Sequence, residues 1–311
     1  MWIVRNRKIF YTIAILLSGA SLIALFIWGL NLGIDFKGGS LLEIEYAETA
    51  LDGKVVEKPE LGVVRNALLP LGVEASVREA GERNYIIRMK SLSEPERIQV
   101  ENALKEINPN YTISRFTSIG PVLGAEAASK SITSIVLVIL CIVIFITIVF
   151  RKVSEPVPSW KYGLITIVAL VHDIIVPAGV FAYLGHFQGV QIDTLFVTAL
   201  LVVLGFSVHD TIVVFDRVRE NLKNLKDKNQ TKSFEEVVGE SIGETFTRSI
   251  NTTLTVLFAL IVLYVVGGEA TRYFTLALLI GIAAGTYSSI FLASPLLVTI
   301  EKWQNRKTKK K

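Results

Sequence analysis

Two His-Asp dipeptides and one arginine stand inside apolar stretches of this 311-residue sequence. His172 and Asp173 lie in "ALVHDIIVPAG", His209 and Asp210 in "LGFSVHDTIVVFDR", and Arg248 opens "RSINTTLTVLFAL". A carboxylate in hydrocarbon costs roughly 2.5–3.5 kcal/mol on insertion scales, and intramembrane carboxylates mark ion or proton routes more often than bare structural bridges. The chemistry open to such a group is to take up and release a proton. Burial favours the protonated carboxyl and a nearby guanidinium the ionised one, so moving an arginine relative to an aspartate switches its proton affinity. Asp210 precedes Arg217 by seven residues, which puts it roughly 10 Å inside the end of an apolar helix. Arg248 enters from that same end, so an Asp210–Arg248 pair is within reach. A permanent ion pair is the competing reading, and for Arg248 a further one is an anchor that snorkels to the interface. Proton carriage is the preferred reading for Asp210 and, by a smaller margin, for Arg248.

Arg248, Thr252, Thr255 and Ala259 repeat at i, i+4, i+7 and i+11, a small polar stripe whose hydroxyls can relay a proton or simply bond a neighbouring helix. Gly281 and Gly285 stand in GxxxG spacing, for which close helix packing is the preferred explanation. A metal site is not expected at the dipeptides, because adjacent helical residues point about 100° apart and no third ligand is evident. His186 reads as a surface residue of a loop. P-loop, CxxC and HExxH patterns are all missing, and neither nucleotide hydrolysis nor covalent catalysis is expected. Work must come from a gradient: one charge moved through 100 mV is worth roughly 2.3 kcal/mol.

These residues need membrane helices to hold them. The sequence is 51% hydrophobic and 19% charged. Six apolar stretches are long enough for a bilayer core of roughly 30 Å, near 11–30, 131–150, 160–184, 192–215, 249–266 and 273–299. The net charge of +4 therefore reflects basic anchoring at one membrane face, with no nucleic-acid partner expected. Arg5, Arg7 and Lys8, then Arg151 and Lys152, then the 217–248 connection and the "NRKTKKK" tail all fall on one side of a six-span path. Both termini are expected in the cytoplasm. The first stretch exceeds the usual signal-peptide core and lacks a small-residue cleavage pattern, so it reads as a retained helix. Cys141 is the lone cysteine and reads as apolar packing.

Residues 31–130 differ: they hold 15 of the 28 acidic residues and 12 of the 32 basic ones, which marks a domain outside the membrane. "SLLEIEYA" (40–47) alternates as a strand. In 59–72, Leu61, Val64, Leu68 and Leu71 share a helical face that stops at Gly72. "GERN" separates two further strands, Ser93 and Glu96 form a capping box, and "YTISRFTSI" is a fourth strand. The order β-α-β-β-α-β is that of a ferredoxin-like α+β domain. The expected organisation is a first helix in 1–30, an extracytoplasmic ferredoxin-like domain in 31–130, helices two to six in 131–299 and a basic tail in 300–311. Within 217–248, Ser233 and Glu236 cap a helix whose Phe234, Val238, Ile242 and Phe246 share a face, read as an amphipathic lead-in lying at the interface.

"GIDFKGG" (33–39), "SIGPVLGAEAA" (118–128), "FSVHDTIVVFDRVREN" (206–221) and "GTYSSIFLASPLL" (285–297) together resemble the SecF side of the bacterial SecD/SecF protein translocase family, within the resistance-nodulation-division transporters. The resemblance covers nearly the whole chain in order. It implies a SecD partner with six more spans, association with the SecYEG channel, and use of the proton motive force to draw or release preproteins across the cytoplasmic membrane, with protons as coupling ion and no cofactor. It sets Asp210 at the family's proton-carrying aspartate and Arg248 at the arginine opening the fifth span. The family's usual Asn before that aspartate is His209 here, which leaves open whether His209 joins the route; Asp173 and His172 take a supporting place. Gly38 and Gly39 read as a tight exit from membrane into strand, while Asp35 is open to a partner contact or a proton-access role. A passive scaffold for SecD and the channel, and a half-transporter for small molecules or lipids, are the alternatives.

Overall fold

The computed structural model describes residues 2–49, 55–152 and 157–308. The end of the basic tail, 309–311, lies outside the described residues. In chain order the elements are α1 (Arg7–Trp28), β1 (Gly39–Tyr46), α2 (Leu61–Leu68), β2 (Ser76–Ala80), β3 (Asn84–Met89), α3 (Glu94–Ile107), β4 (Tyr111–Ile119), α4 (Pro121–Val149), α5 (Ser159–Gln188), α6 (Thr194–Asp227), α7 (Phe234–Val266) and α8 (Glu269–Tyr287). A π-helical turn (Ser288–Ala293) and α9 (Ser294–Thr308) follow, and the short helices Trp2–Arg5 and Ile34–Lys37 and the 3-10 turns Leu69–Leu71 and Phe150–Lys152 flank these elements. Among the described residues, six helices are long and apolar enough to cross a membrane: α1, α4, α5, α6, α7 and the composite Thr271–Arg306.

The chain divides into two compact units, one of them formed by Leu32–Ile132 with Gln191–Thr194. Its sheet has the order β2-β3-β1-β4 with every pair antiparallel, the ferredoxin-like arrangement. Alternation along β1 and β3 turns Leu42, Ile44, Tyr46, Tyr85, Ile87 and Met89 to one face. There Val64 and Leu68 of α2 and Val100 and Leu104 of α3 close the core. Gly72, in the left-handed region at φ 63°, stops the helical stretch that began with α2. The Gly38–Gly39 pair is set by geometry: Gly38 has φ 77°, and a Cβ there would lie 2.8 Å from the Pro121 Cα. Asp35 accepts hydrogen bonds from the Thr194 backbone N–H (3.0 Å) and hydroxyl (2.8 Å), within this same unit.

The Ser93–Glu96 capping box is formed at α3. The Ser93 backbone N–H and hydroxyl, then Lys90, hold the Glu96 carboxyl down to about 2 from 4.5. A lowered carboxyl contributes stability above its unfolded value and loses it as pH falls. The thermal midpoint of the detergent-solubilised chain should therefore exceed that of its Glu96→Gln variant near neutrality, and the gap should shrink as pH drops from about 4.5 towards 2. A gap independent of pH would show that the box contributes through shape alone.

The other unit is the helix bundle, Met1–Asn31, Thr133–Val190 and Leu195–Lys311. Within lipid, helices associate by van der Waals packing and small-residue contact more than by apolar transfer. Phe150, Tyr162 and Phe215 form such a centre, with Phe150 and Tyr162 stacked at 5.4 Å and Phe215 edge-on to Tyr162 at 5.2 Å. α5 and the composite last span are mostly enclosed and α6 is half so, whereas α1, α4 and α7 keep most of their apolar surface outward.

The 217–248 stretch differs from expectation. α6 runs on to Asp227 and α7 begins at Phe234, so only 228–233 connect them. Ser233 and Glu236 cap α7 itself, and Phe234, Val238 and Ile242 join the bundle core while Phe246 stays exposed. An amphipathic stripe has the same period whether it lies on an interface or against other helices, and here it packs. Arg217 pairs with Glu244 (2.6 Å), Asn221 with Glu244 (2.9 Å) and with Ser241 (3.0 Å), and these bonds clamp α6 to α7 beyond their apolar parts.

A buried carboxylate and hydroxyl network

The two His-Asp dipeptides meet different surroundings. On α5 both members are buried, with Asp173 fully enclosed. The His172 Nδ1 lies 2.9 Å from Asp173 Oδ1. Asp173 Oδ2 accepts from the Ser207 hydroxyl at 2.5 Å and from the Ser288 hydroxyl at 2.8 Å. Pro177 sits four residues on inside α5, where it cannot donate to the Asp173 carbonyl, so this turn is free of one helix bond. Asp173 thus ties α5, α6 and the last span together at one point.

α6 carries its buried face on Val203, Ser207, Asp210 and Val214. Asp210 accepts one long hydrogen bond, 3.5 Å, from the Thr286 hydroxyl. Thr286 in turn is 2.8 Å from the Thr253 hydroxyl of α7. His209, one position away, points outward from the bundle. Small residues make the approach possible: a Cβ on Gly281 would lie 2.4 Å from Val203 Cγ2, and one on Gly285 2.9 Å from the Ser207 Cβ. The π-helical turn follows at once. Turns of this kind insert an extra residue and often sit at functional positions. Here Ser288 is presented to Asp173, and Ser289 to the Thr211 hydroxyl (2.8 Å) and the Ser207 carbonyl (3.0 Å).

Arg248 is placed otherwise than the direct pair required. It lies on the exposed side of α7, and among the described residues no ion pair within 4.0 Å joins it to Asp210. Thr252 and Thr255 share that outward side and donate to the Arg248 and Asn251 carbonyls of their own helix. The polar face that enters the bundle is one residue further round: Ser241, Thr245, Ser249 and Thr253 are buried. The strict i, i+4 spacing of these four was visible in the sequence. Ser207, Thr286 and Ser288 gave no comparable signal. Among the described residues, no group of three or more His, Cys, Asp and Glu gathers as a metal site.

What the arrangement offers chemically is two carboxylates of different character. Asp173 is saturated with donors, and Asp210 is nearly unbonded in the same enclosed region. The family model described as "Protein export membrane protein SecD/SecF, C-terminal" matches residues 99–303, and that of the SecD/SecF GG motif matches residues 23–50. The chain belongs to the SecD/SecF family. It is similar to the protein translocase subunit SecF of Thermobaculum terrenum, 44% identical over 98% of this chain and 94% of that one. Likewise it is 38% identical to the SecF of Anaerolinea thermophila, over 97% of this chain and 96% of the relative. Among solved structures it resembles SecDF from Thermus thermophilus, described as a translocon-associated membrane protein, with a TM-score of 0.79 and 28% identity. That match covers 97% of this chain but 38% of the SecDF chain. This SecD/SecF-family chain is accordingly a multi-pass membrane subunit of the SecF type, and the expected six-helix fold with one ferredoxin-like domain is what it adopts.

Proposed function

We propose that this chain assists protein translocation across the bacterial cytoplasmic membrane by coupling proton movement at Asp210 to helix rearrangement, in complex with a SecD partner beside the SecYEG channel. The observation that carries this reading is the state of Asp210. It is 2% exposed and its nearest donor among the described residues, Thr286, stands at 3.5 Å. A structural bridge would hold a close cation; a proton carrier must be able to lose and regain its proton without dismantling its surroundings. The SecDF relative supports the partner assignment, because this chain spans 38% of it and a SecD chain would supply the remainder. Arg248, on the outward side of α7, is then available to a partner helix or to lipid, and regulates Asp210 from a distance instead of through a fixed pair. The basic positions Arg5, Arg7, Lys8 and Arg151, with the α6–α7 end of the bundle, are assigned to the cytoplasm. The ferredoxin-like domain is assigned to the opposite side, where it meets the emerging preprotein.

The test is gradient dependence. The chain is co-assembled with SecD and SecYEG in sealed vesicles, a preprotein is driven in with ATP, and its release is followed with and without an imposed proton gradient. Release accelerated by the gradient is expected. Identical release in both conditions would leave the chain as a passive scaffold.

A further inference from the structure

Asp210 needs a connection to water if it is to exchange a proton, and one helix face supplies it. Ser241, Thr245, Ser249 and Thr253 lie at i, i+4, i+8 and i+12 on α7 and are 0%, 7%, 2% and 4% exposed. At the outer end Ser241 accepts from Asn221, beside the Arg217–Glu244 pair. At the inner end Thr253 meets Thr286, which meets Asp210. The four residues thus line a path from charged side chains at the α6–α7 end of the bundle towards the buried carboxylate.

Ser241 and Thr245 donate to carbonyls one turn back, at 2.8 and 2.9 Å, and keep lone pairs free to accept. Ser249 is the exception. Its hydroxyl is buried and has no hydrogen-bond partner among the described residues. The large majority of buried hydroxyls are satisfied, by protein or by ordered water. Helical residues four apart are separated by roughly 6 Å along the axis. That is too far for a direct bond and close to two water–hydroxyl bonds of about 2.8 Å each. Ser249, midway between Thr245 and Thr253, is where a bridging water would complete the line.

We infer that the buried hydroxyl face of α7, through Ser249 and Thr253, binds a short file of water that connects Asp210 to the aqueous phase at the α6–α7 end. The inference rests on the proton-carrier reading of Asp210 and adds its route. It gives Thr253 and Thr286 the role of last relay and leaves the outward Thr252 and Thr255 outside it.

Thr253→Val keeps shape and removes the relay hydroxyl; Ser249→Ala removes the middle one. Each is expected to lower gradient-driven preprotein release about tenfold, the worth of one hydrogen bond in a pathway. Thr247→Val, the same change on the exposed face of α7, should leave it unaltered. Asp210→Asn is run beside them. If it removes gradient dependence while Ser249→Ala and Thr253→Val keep it, the route is wrong and the carrier stands; if Asp210→Asn keeps gradient dependence, both fall. Folding is controlled by a second variant, Ser249→Cys in a Cys141→Ala background, probed with silver ion, which is small enough to follow water. Inhibition by silver in Ser249→Cys and not in Cys141→Ala alone is expected. A Ser249→Cys chain that translocates normally and ignores silver would show that no water reaches this position.

Discussion

Asp210→Asn is expected to bring the gradient-dependent part of preprotein release to background while leaving ATP-driven release and complex assembly intact. Asn has the size of Asp, and its carbonyl can still accept from Thr286, so packing around Val203, Ser207 and Val214 is preserved. Only the titrating oxygen is lost. Proton transfer by a positioned side chain contributes typically 10²–10⁴-fold to the steps it serves, so a partial loss is not the expected result. The measurement is the ratio of release rates with and without a proton gradient, normalised to assembled complex. A ratio equal to that of the unaltered chain would return Asp210 to a structural role.

Asp173→Ala should be the most damaging single change to the bundle itself. It strands the Ser207 hydroxyl and the His172 Nδ1 in an enclosed site and leaves Ser288 only the Gly285 carbonyl, and each buried polar group left unpaired costs about 1–3 kcal/mol. Asp173→Asn should cost about 1 kcal/mol, because its carbonyl can accept from both serines and its amide can donate to the His172 ring. Thermal unfolding of the purified variants in detergent separates the two. Equal destabilisation by Ala and Asn would show that the hydrogen-bond pattern Asn can reproduce is not what holds the three helices together.

The six spans and the β-α-β-β-α-β order were legible because each rests on a local period: long apolar runs in the one case, alternation and caps in the other. Ser93–Glu96 and "YTISRFTSI" fell where the pattern put them. The ends of α6 and α7 were not legible, since a helix that leaves the membrane continues in polar sequence that reads as a connection. Rotation about the helix axis was harder still. α7 carries hydroxyls on two sides, and the sequence alone gave no reason to prefer Ser249 and Thr253 over Thr252 and Thr255, which differ by about one 100° step. For the same reason the sequence placed Arg248 within reach of Asp210 without fixing its side of α7, where it is exposed and, among the described residues, makes no ion pair with Asp210 within 4.0 Å. Asp173 was read as secondary; its two serine donors, Ser207 and Ser288, come from distant parts of the chain, which only the fold brings together.

α6 has 34 residues and α7 has 33, each about 50 Å long where the hydrocarbon is about 30 Å thick. With only residues 228–233 between them and the Arg217–Glu244 and Asn221–Ser241 clamps along the way, the pair forms a stiff mast and not a loop. From Asp210 to the tip at Asp227 is about 25 Å, so a 10° tilt pivoting at the carboxylate swings the tip by about 4 Å. A mast has no slack to absorb such a swing. On the proton-carrier reading proposed for Asp210, whatever rests against its tip is in mechanical contact with the protonation state of one buried carboxyl group.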